Sequence, residues 1–338
     1  MKILVLLHSD LVPPDNFSSK KEWEQSDCKT EYDVIKGLKS LGHQLIILGI
    51  DTDLKPLRDA VKLEKPKLVF NLLEEFDGEG VFDQNVVSYL ELLRVPYTGC
   101  NPRGLILGRD KALSKKILKY HRIKTPEFHI FEYSKKIKKE KQIKLGKNVH
   151  YPLFVKLLYE EASLGITQDS IVKDEEALKE RIMFFFNKYQ SDVIAESYID
   201  GREFYVGILG NKKLTALPVW ELHFDNISDA TPKIATEKVK WDFNYRKKFG
   251  ISTGAAKKLS ETDVTWLHKV TKRSYRALGL SGYARMDFRM CRTTGEFFLI
   301  EANPNPDIGY QEDLAASAEL FGIDYTALLK RIISLAIA

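Results

Sequence analysis

Residues 283–309 read YARMDFRMCRTTGEFFLIEANPNPDIG. Two runs rich in apolar and aromatic residues, 283–291 and 296–302, flank Arg292-Thr293-Thr294-Gly295. A short glycine-containing gap between such runs predicts a β-hairpin. Turning the chain about Thr294 sets Asp287 opposite Glu301 and Arg285 opposite Asn303. Side chains alternate along a strand, so these four polar groups share one face while Met286, Phe288, Ile300 and Ala302 take the other. Opposed Cβ atoms lie only about 5 Å apart, where two like charges destabilise the pair, so a positive group is needed between them.

Two carboxylates and an amide oxygen on one polar face suit Mg²⁺, which takes hard oxygen ligands and shares its octahedron with phosphate and water; Mn²⁺ is the alternative ion. Arg285, on the same face, can hold a phosphate or a developing oxyanion. The plain alternative is a surface hairpin whose charges pair with solvated lysines. Against it stand the apolar opposite face and the irregular Asn303-Pro304-Asn305-Pro306 turn that follows.

Length and composition bound what surrounds this hairpin. The chain has 338 residues, 44% hydrophobic and 29% charged, which suits a soluble protein of two or three domains. The net charge of +5 is uneven, since seven lysines lie between Lys135 and Lys147. That stretch lacks interleaved aromatics and any nucleic-acid-reading motif, so it reads as a solvated insertion and no nucleic-acid partner is expected. Cys28, Cys100 and Cys291 form no CxxC pair and no even disulfide set, which fits a reducing cytoplasm. The apolar run 2–7 is too short for a secretory segment and reads as a buried strand, and no run approaches a membrane span.

From residue 1 to about 100 strand and helix alternate: strand 2–7, helix near 30–41, strand 44–50, a short helix, strand 67–72, helix 82–94. That order predicts a parallel sheet covered by helices, with ligands at the carboxyl ends of its strands. The loops after the first and third strands are therefore the functional ones, and the third carries Glu74 and Glu75. Further on, a basic helix at 112–123 leads to a strand near 127–132, residues 221–258 read as polar and irregular, and the final helix has an apolar stripe of Leu328, Leu329, Ile332 and Ile333.

The pattern R-x-D-x-R…G-E-x-x-x-I-E-x-N in the hairpin resembles the metal-binding hairpin of the ATP-grasp ligases, and the D-alanine:D-alanine ligase family in particular. The likeness extends over most of the chain. It implies an α/β (α+β) three-domain ATP-grasp fold: a Rossmann-like domain at 1–108, a central subdomain at 109–198 and a C-terminal subdomain at 199–338 that carries the hairpin. It assigns Asp287, Glu301 and Asn303 to the metal. It sets Lys111, Lys156, Glu160 and Ile300 against the nucleotide, with Glu196, Tyr198 and Ile199 at adenine and Glu203 at the ribose hydroxyls. Arg285, Lys240 and Ser163 take catalytic places in it.

Departures from the family pattern fall on the substrate side. Ala162 stands where a substrate-orienting serine is expected, Trp241 where a tyrosine is, Glu74-Glu75 where a histidine loop is, and Glu312, a few residues after Asp307, near the serine that binds the acceptor's carboxylate. An anion there repels a carboxylate. The resemblance therefore implies a cytoplasmic ligase that joins a small-molecule carboxylate to an amine through an acyl phosphate, using ATP and Mg²⁺, with an acceptor other than D-alanine and no membrane partner. A D-alanine-specific ligase and a non-catalytic ATP-binding protein are the alternatives, and a homodimer rests on resemblance alone.

Overall fold

The computed structural model describes residues 1–135, 143–146, 149–160, 163–228 and 231–338. Most of the lysine-rich insertion lies outside the described residues, as do Glu161 and Ala162. Strands β1 (Lys2–His8), β2 (Gln44–Ile50) and β3 (Leu68–Asn71) form the expected parallel sheet, in the order β2-β1-β3. Residues 3–7 of β1 are wholly buried because the sheet is covered on both faces. Ile3, Val5 and Leu7 join one core, Leu4 and Leu6 the other. Helix Asp83–Leu92 packs Val86 and Leu90 on the second face. The first face is shared by helix Lys29–Ser40 and the distant helix Tyr325–Ile337, whose Leu328, Leu329, Ile332 and Ile333 are all buried.

Strands β4 (Phe128–Phe131), β5 (Leu153–Leu157), β6 (Ile171–Val172) and β7 (Val193–Ser197) make an antiparallel sheet in the order β4-β7-β5-β6. Helix Glu175–Tyr189 seals it with Leu178, Ile182, Phe185 and Phe186. The third sheet holds β8 (Gly201–Leu209), β9 (Thr215–Ala216), β10 (Trp220–Phe224), β11 (Ile251–Ala255), β12 (Tyr283–Cys291) and β13 (Phe297–Pro304). Its order is β11-β10-β8-β12-β13, with β9 added to β8.

The segment 221–258 is more regular than its composition suggests. It contains most of β10, the short helices Glu237–Trp241 and Phe243–Phe249, and β11. Leu222, Val239 and Ile251 are too far apart in sequence to show a period, but they converge on Tyr205 in a small core.

The hairpin has the expected register at its open end, with Asp287 opposite Glu301 and Arg285 opposite Asn303. Toward the turn the register slips by one, so that Phe288 faces Leu299. The extra residue is Ile300. Contrary to expectation it leaves the apolar face, and Leu299 is buried with Met286, Phe288 and Ala302 in its place. A β-bulge re-aims side chains in this way.

The Tyr325–Ile337 helix completes the core of the first sheet. Leu329→Ala is expected to cost about 2–5 kcal/mol, the usual range for an emptied leucine site, and urea unfolding read at both near- and far-UV wavelengths measures it.

Candidate active site

A cleft opens between the second and third sheets. Its walls come from five places in the sequence. Helix Lys111–Tyr120 begins at the cap Asp110, whose side chain accepts from the amides of Ala112 and Leu113, and this capping fixes Lys111 at the mouth. Lys111 is almost fully buried and donates to the carbonyl of Glu160, which also lines the cleft. From β5 comes Lys156, 3.7 Å from Glu196 of β7 and 3.5 Å from Glu301 of β13. Burial works against the lysine's charge, but Glu196 and Glu301 outweigh it and raise its pKa. Burial likewise pushes the Glu301 carboxyl up, yet Lys156, Lys111 and Lys240 prevail and hold it well below the usual carboxylate range.

Lys240 reaches the cleft from helix Glu237–Trp241. That helix is strapped to the loop after β5: the amide of Gly165 donates to Glu237 Oε2 at 3.0 Å, and the Glu237 amide donates to the carbonyl of Ile166 at 3.1 Å. Ser163, in the same loop and on the cleft wall, has φ +62°, the left-handed region that residues other than glycine seldom adopt. Trp241 lies on the outer side of the helix, 70% exposed and away from the cleft lining.

At the other end of the cleft, Tyr198, Ile199 and Glu203 follow β7 and open β8. The Tyr198 hydroxyl is pushed up to about 12, chiefly by burial. Glu203 accepts from Arg289 at 2.8 Å and from the Tyr205 hydroxyl at 2.9 Å. Arg289 also binds the carbonyls of Ile199 and Gly201, which fixes the turn between β7 and β8.

The hairpin's polar face already has its positive groups. Arg285 forks onto Asp287 at 2.7 and 2.8 Å, and the Asn303 amide nitrogen donates to Asp287 at 2.9 Å, leaving its oxygen as the acceptor end. Burial raises the Asp287 carboxyl while Arg285 works against it. Among the described residues no cluster of three or more His, Cys, Asp or Glu side chains can hold an ion by itself. Two carboxylates and one amide oxygen still fit Mg²⁺ as a partial shell of hard donors that water and nucleotide phosphate would complete.

Sequence reasoning missed Lys115, which it left inside a merely basic helix. Lys115 is 1% exposed, lies 3.3 Å from Glu196 Oε1 and donates to the carbonyl of Ile300 at the bulge. The spacing held a signal: Lys115 follows Lys111 by one helical turn, so both lysines share one face of the helix, Lys111 on the cleft wall and Lys115 buried against Glu196. Glu196 Oε1 has no hydrogen bond despite that near charge and is able to accept one. Ile300, turned by the bulge, lines the cleft.

The remaining predicted substrate residues gather at the edge of the first sheet. Glu75 lies 3.6 Å from His8 at the end of β1, and the Glu74 carbonyl accepts from Arg109 at 2.9 Å. Asp307 accepts from the Thr30 hydroxyl at 2.7 Å and the Gly309 amide at 2.8 Å. Glu312 is not the unopposed anion that its position in the sequence suggested, because Lys29 of helix Lys29–Ser40 pairs with it at 2.8 Å.

The family model for the D-ala D-ala ligase C-terminus matches residues 117–334. The chain belongs to the D-Ala–D-Ala ligase family. It is 31% identical to the D-alanine–D-alanine ligase of Aquifex aeolicus over 310 residues, 90% of this chain and 94% of the relative. The crystal structure of D-alanine–D-alanine ligase from Bacillus anthracis complexed with ATP superposes with a TM-score of 0.71 at 23% identity, covering 100% of this chain and 97% of the other. VanG D-Ala:D-Ser ligase from Enterococcus faecalis gives 0.71 at 20% identity, with 99% of each chain covered. The fold is thus that of the ATP-grasp ligases, and the chain is a member of an ATP-dependent ligase family. No helix among the described residues is long and apolar enough to cross a membrane.

Removing Lys115 leaves the buried Glu196 only its longer contact with Lys156. Lys115→Met is expected to destabilise the protein by about 3–5 kcal/mol, and adding Glu196→Gln should recover most of the loss in a thermal or urea unfolding series.

Proposed function

We propose that this chain is an ATP-dependent carboxylate–amine ligase whose acceptor is not D-alanine. The observation that carries the ligase reading is the convergence of Lys111, Lys156 and Lys240, from three separate elements, on Glu301 beside the Asp287 hairpin. Three lysines crowded on one carboxylate give that end of the cleft a local positive charge that suits the phosphates of a nucleoside triphosphate. In this reading the lobes are residues 1–108, 109–198 and 199–338, with ATP between the last two and the substrates roofed by the first.

The donor's carboxylate attacks the γ-phosphorus of ATP, releasing ADP and leaving an acyl phosphate. A neutral amine then attacks the acyl carbon; the C–N bond forms, the C–O bond to phosphate breaks, and the amine's extra proton passes to solvent. Lys111, Lys156 and Lys240 hold the phosphates, and Ser163 borders the transferred group with the amides of its loop. Arg285, turned from Asp287, meets the oxyanion of the tetrahedral intermediate. Glu196 Oε1 accepts from the adenine amino group, Tyr198, Ile199 and Ile300 enclose the ring, and Glu203 takes the ribose hydroxyls. Glu160 steadies Lys111 through its carbonyl. Mg²⁺ held by Asp287, Glu301 and Asn303 would neutralise phosphate charge. The hairpin offers only two carboxylates, so the ion binds with the nucleotide rather than ahead of it.

The acceptor assignment is supported by what meets the 307–312 loop. Lys29 is engaged by Glu312 and Asp33, so neither it nor Glu312 offers a free donor to a small zwitterion's carboxylate. Glu74, Glu75 and Asp307 add negative charge on the same side. Orthodox D-alanine ligation is the second reading, favoured by the identity to the Aquifex aeolicus enzyme.

Asp287→Ala and Glu301→Ala are each expected to weaken Mg²⁺-dependent ATP binding by at least roughly a hundredfold with the far-UV spectrum unchanged. Calorimetry that finds equal ATP affinity with and without Mg²⁺ would remove the hairpin from the site. ADP release measured with amino acids, dipeptides and amines tests the acceptor: D-alanine alone should be a poor substrate, and a lower KM for D-alanine than for basic acceptors would restore the second reading.

A further inference from the structure

Where the 305–312 loop meets the N-terminal end of helix Lys29–Ser40, four carboxylates gather: Glu31, Asp33, Asp307 and Glu312. Among the described residues the cation placed there is Lys29. Its amine lies 2.8 Å from Glu312 and 3.6 Å from Asp33, and it also donates to the Tyr310 carbonyl at 3.0 Å. Asp33 is further satisfied by the Trp23 indole at 2.7 Å and the Tyr310 amide at 2.9 Å. Thr30 and Gly309 give Asp307 two neutral donors, and its charge is met only at longer range by Lys29, which Glu312 and Asp33 already share.

Glu31 is different. It is 6% exposed, and its Oε2 has no hydrogen-bond partner. Burial raises its carboxyl to about 7; its own amide opposes this, while Asp307 and Asp33 add to it. A buried acceptor left without a donor is costly, and two neighbouring carboxylates make it more so. Asp307 is exposed and near enough to the buried Glu31 for its charge to act on it. The site is close to the hairpin, because the four residues from Asn303 to Asp307 can span at most about 14 Å.

An ammonium ion answers each of these features. It brings donors to Glu31 Oε2 and a second positive charge to a spot where Lys29 alone, among the described residues, meets four carboxylates. Yet the nitrogen that attacks an acyl phosphate must carry a free lone pair, so an ammonium held here is not the nucleophile. We propose that Glu31 and Asp307 bind a second, non-reacting ammonium group of the acceptor, which makes the acceptor a diamine or a basic amino acid. This rests on the ligase reading and narrows its substrate class.

The test uses the full chain loaded with Mg²⁺ and a non-hydrolysable ATP analogue. Calorimetry compares lysine with norleucine, in both chiralities, and putrescine with n-butylamine. The diamino member of a pair should bind roughly tenfold or more tightly, since one charged hydrogen bond contributes on that order. Glu31→Gln and Asp307→Asn should each erase that ratio. Equal binding of the paired ligands by the parent, or a ratio kept in both variants, overturns the proposal.

Stability separates this role from a structural one. A Glu whose folded pKa lies above its unfolded value subtracts stability, not at all below about pH 4.5 and in full above about pH 7. The charged groups that face it are Asp307 and Asp33, both of which disfavour its ionised form. Glu31→Gln should therefore raise Tm at pH 8 and leave it near the parent's at pH 4; a fall in Tm at pH 8 marks Glu31 as structural and overturns the assignment. ADP release with monoamines and no preference for diamines overturns the proposal while the ligase reading stands. No ADP release with any acceptor overturns that reading and the acceptor site with it.

Discussion

Everything in the cleft depends on burying Lys115, Lys156, Glu196 and Glu301 against one another. These four charges come from a helix, two strands of the second sheet and one strand of the third; Lys115, Lys156 and Glu196 are almost wholly buried, and only Glu301 keeps part of its side chain in water. Taking a charge out of water costs several kcal/mol, and only a close set of opposite charges offsets it. The hydrophobic cores under each sheet thus have a second task, which is to hold these elements at distances where the charges balance. With Lys111 and Lys240 included, four lysines act on Glu301, so the positive charge that attracts a polyphosphate is concentrated at that end of the cleft.

The amino-acid sequence made this legible in part. The alternation of strand and helix up to residue 100 and the opposition of Asp287 to Glu301 followed from side-chain period and turn chemistry, both local. The bulge at Ile300 did not, because a slip of one residue is decided by what lies against each face of the sheet. Here Leu299 fills the core and the Ile300 carbonyl meets Lys115. The burial of Lys115, and of Arg289 with its carbonyl contacts, depends on elements far away in sequence. A lysine in a basic helix carries no mark of depth beyond its spacing from another lysine.

Glu312 shows how a substitution can mislead when its partner is unseen. Read along the chain it is an anion in place of a neutral side chain. In the fold its charge is met by Lys29, 283 residues earlier. Glu31, two residues further on, gave no sign in the sequence at all, and its unsatisfied oxygen emerges only once helix Lys29–Ser40 meets the 305–312 loop.

The helix Tyr325–Ile337 lies on the first sheet beside helix Lys29–Ser40, so Leu38 and Leu328 share one core although most of the chain separates them. On the ribosome that sheet is made early, and one of its faces stays only half covered, by helix Lys29–Ser40, for on the order of 15–60 s, the time taken to add the intervening residues at ~5–20 per second. Val5, Leu7, Val34 and Leu38 remain a sticky surface throughout that interval. The earliest strands to be synthesised are among the last to be sealed, and a trigger-type holdase that shields apolar segments has its longest work on this stretch.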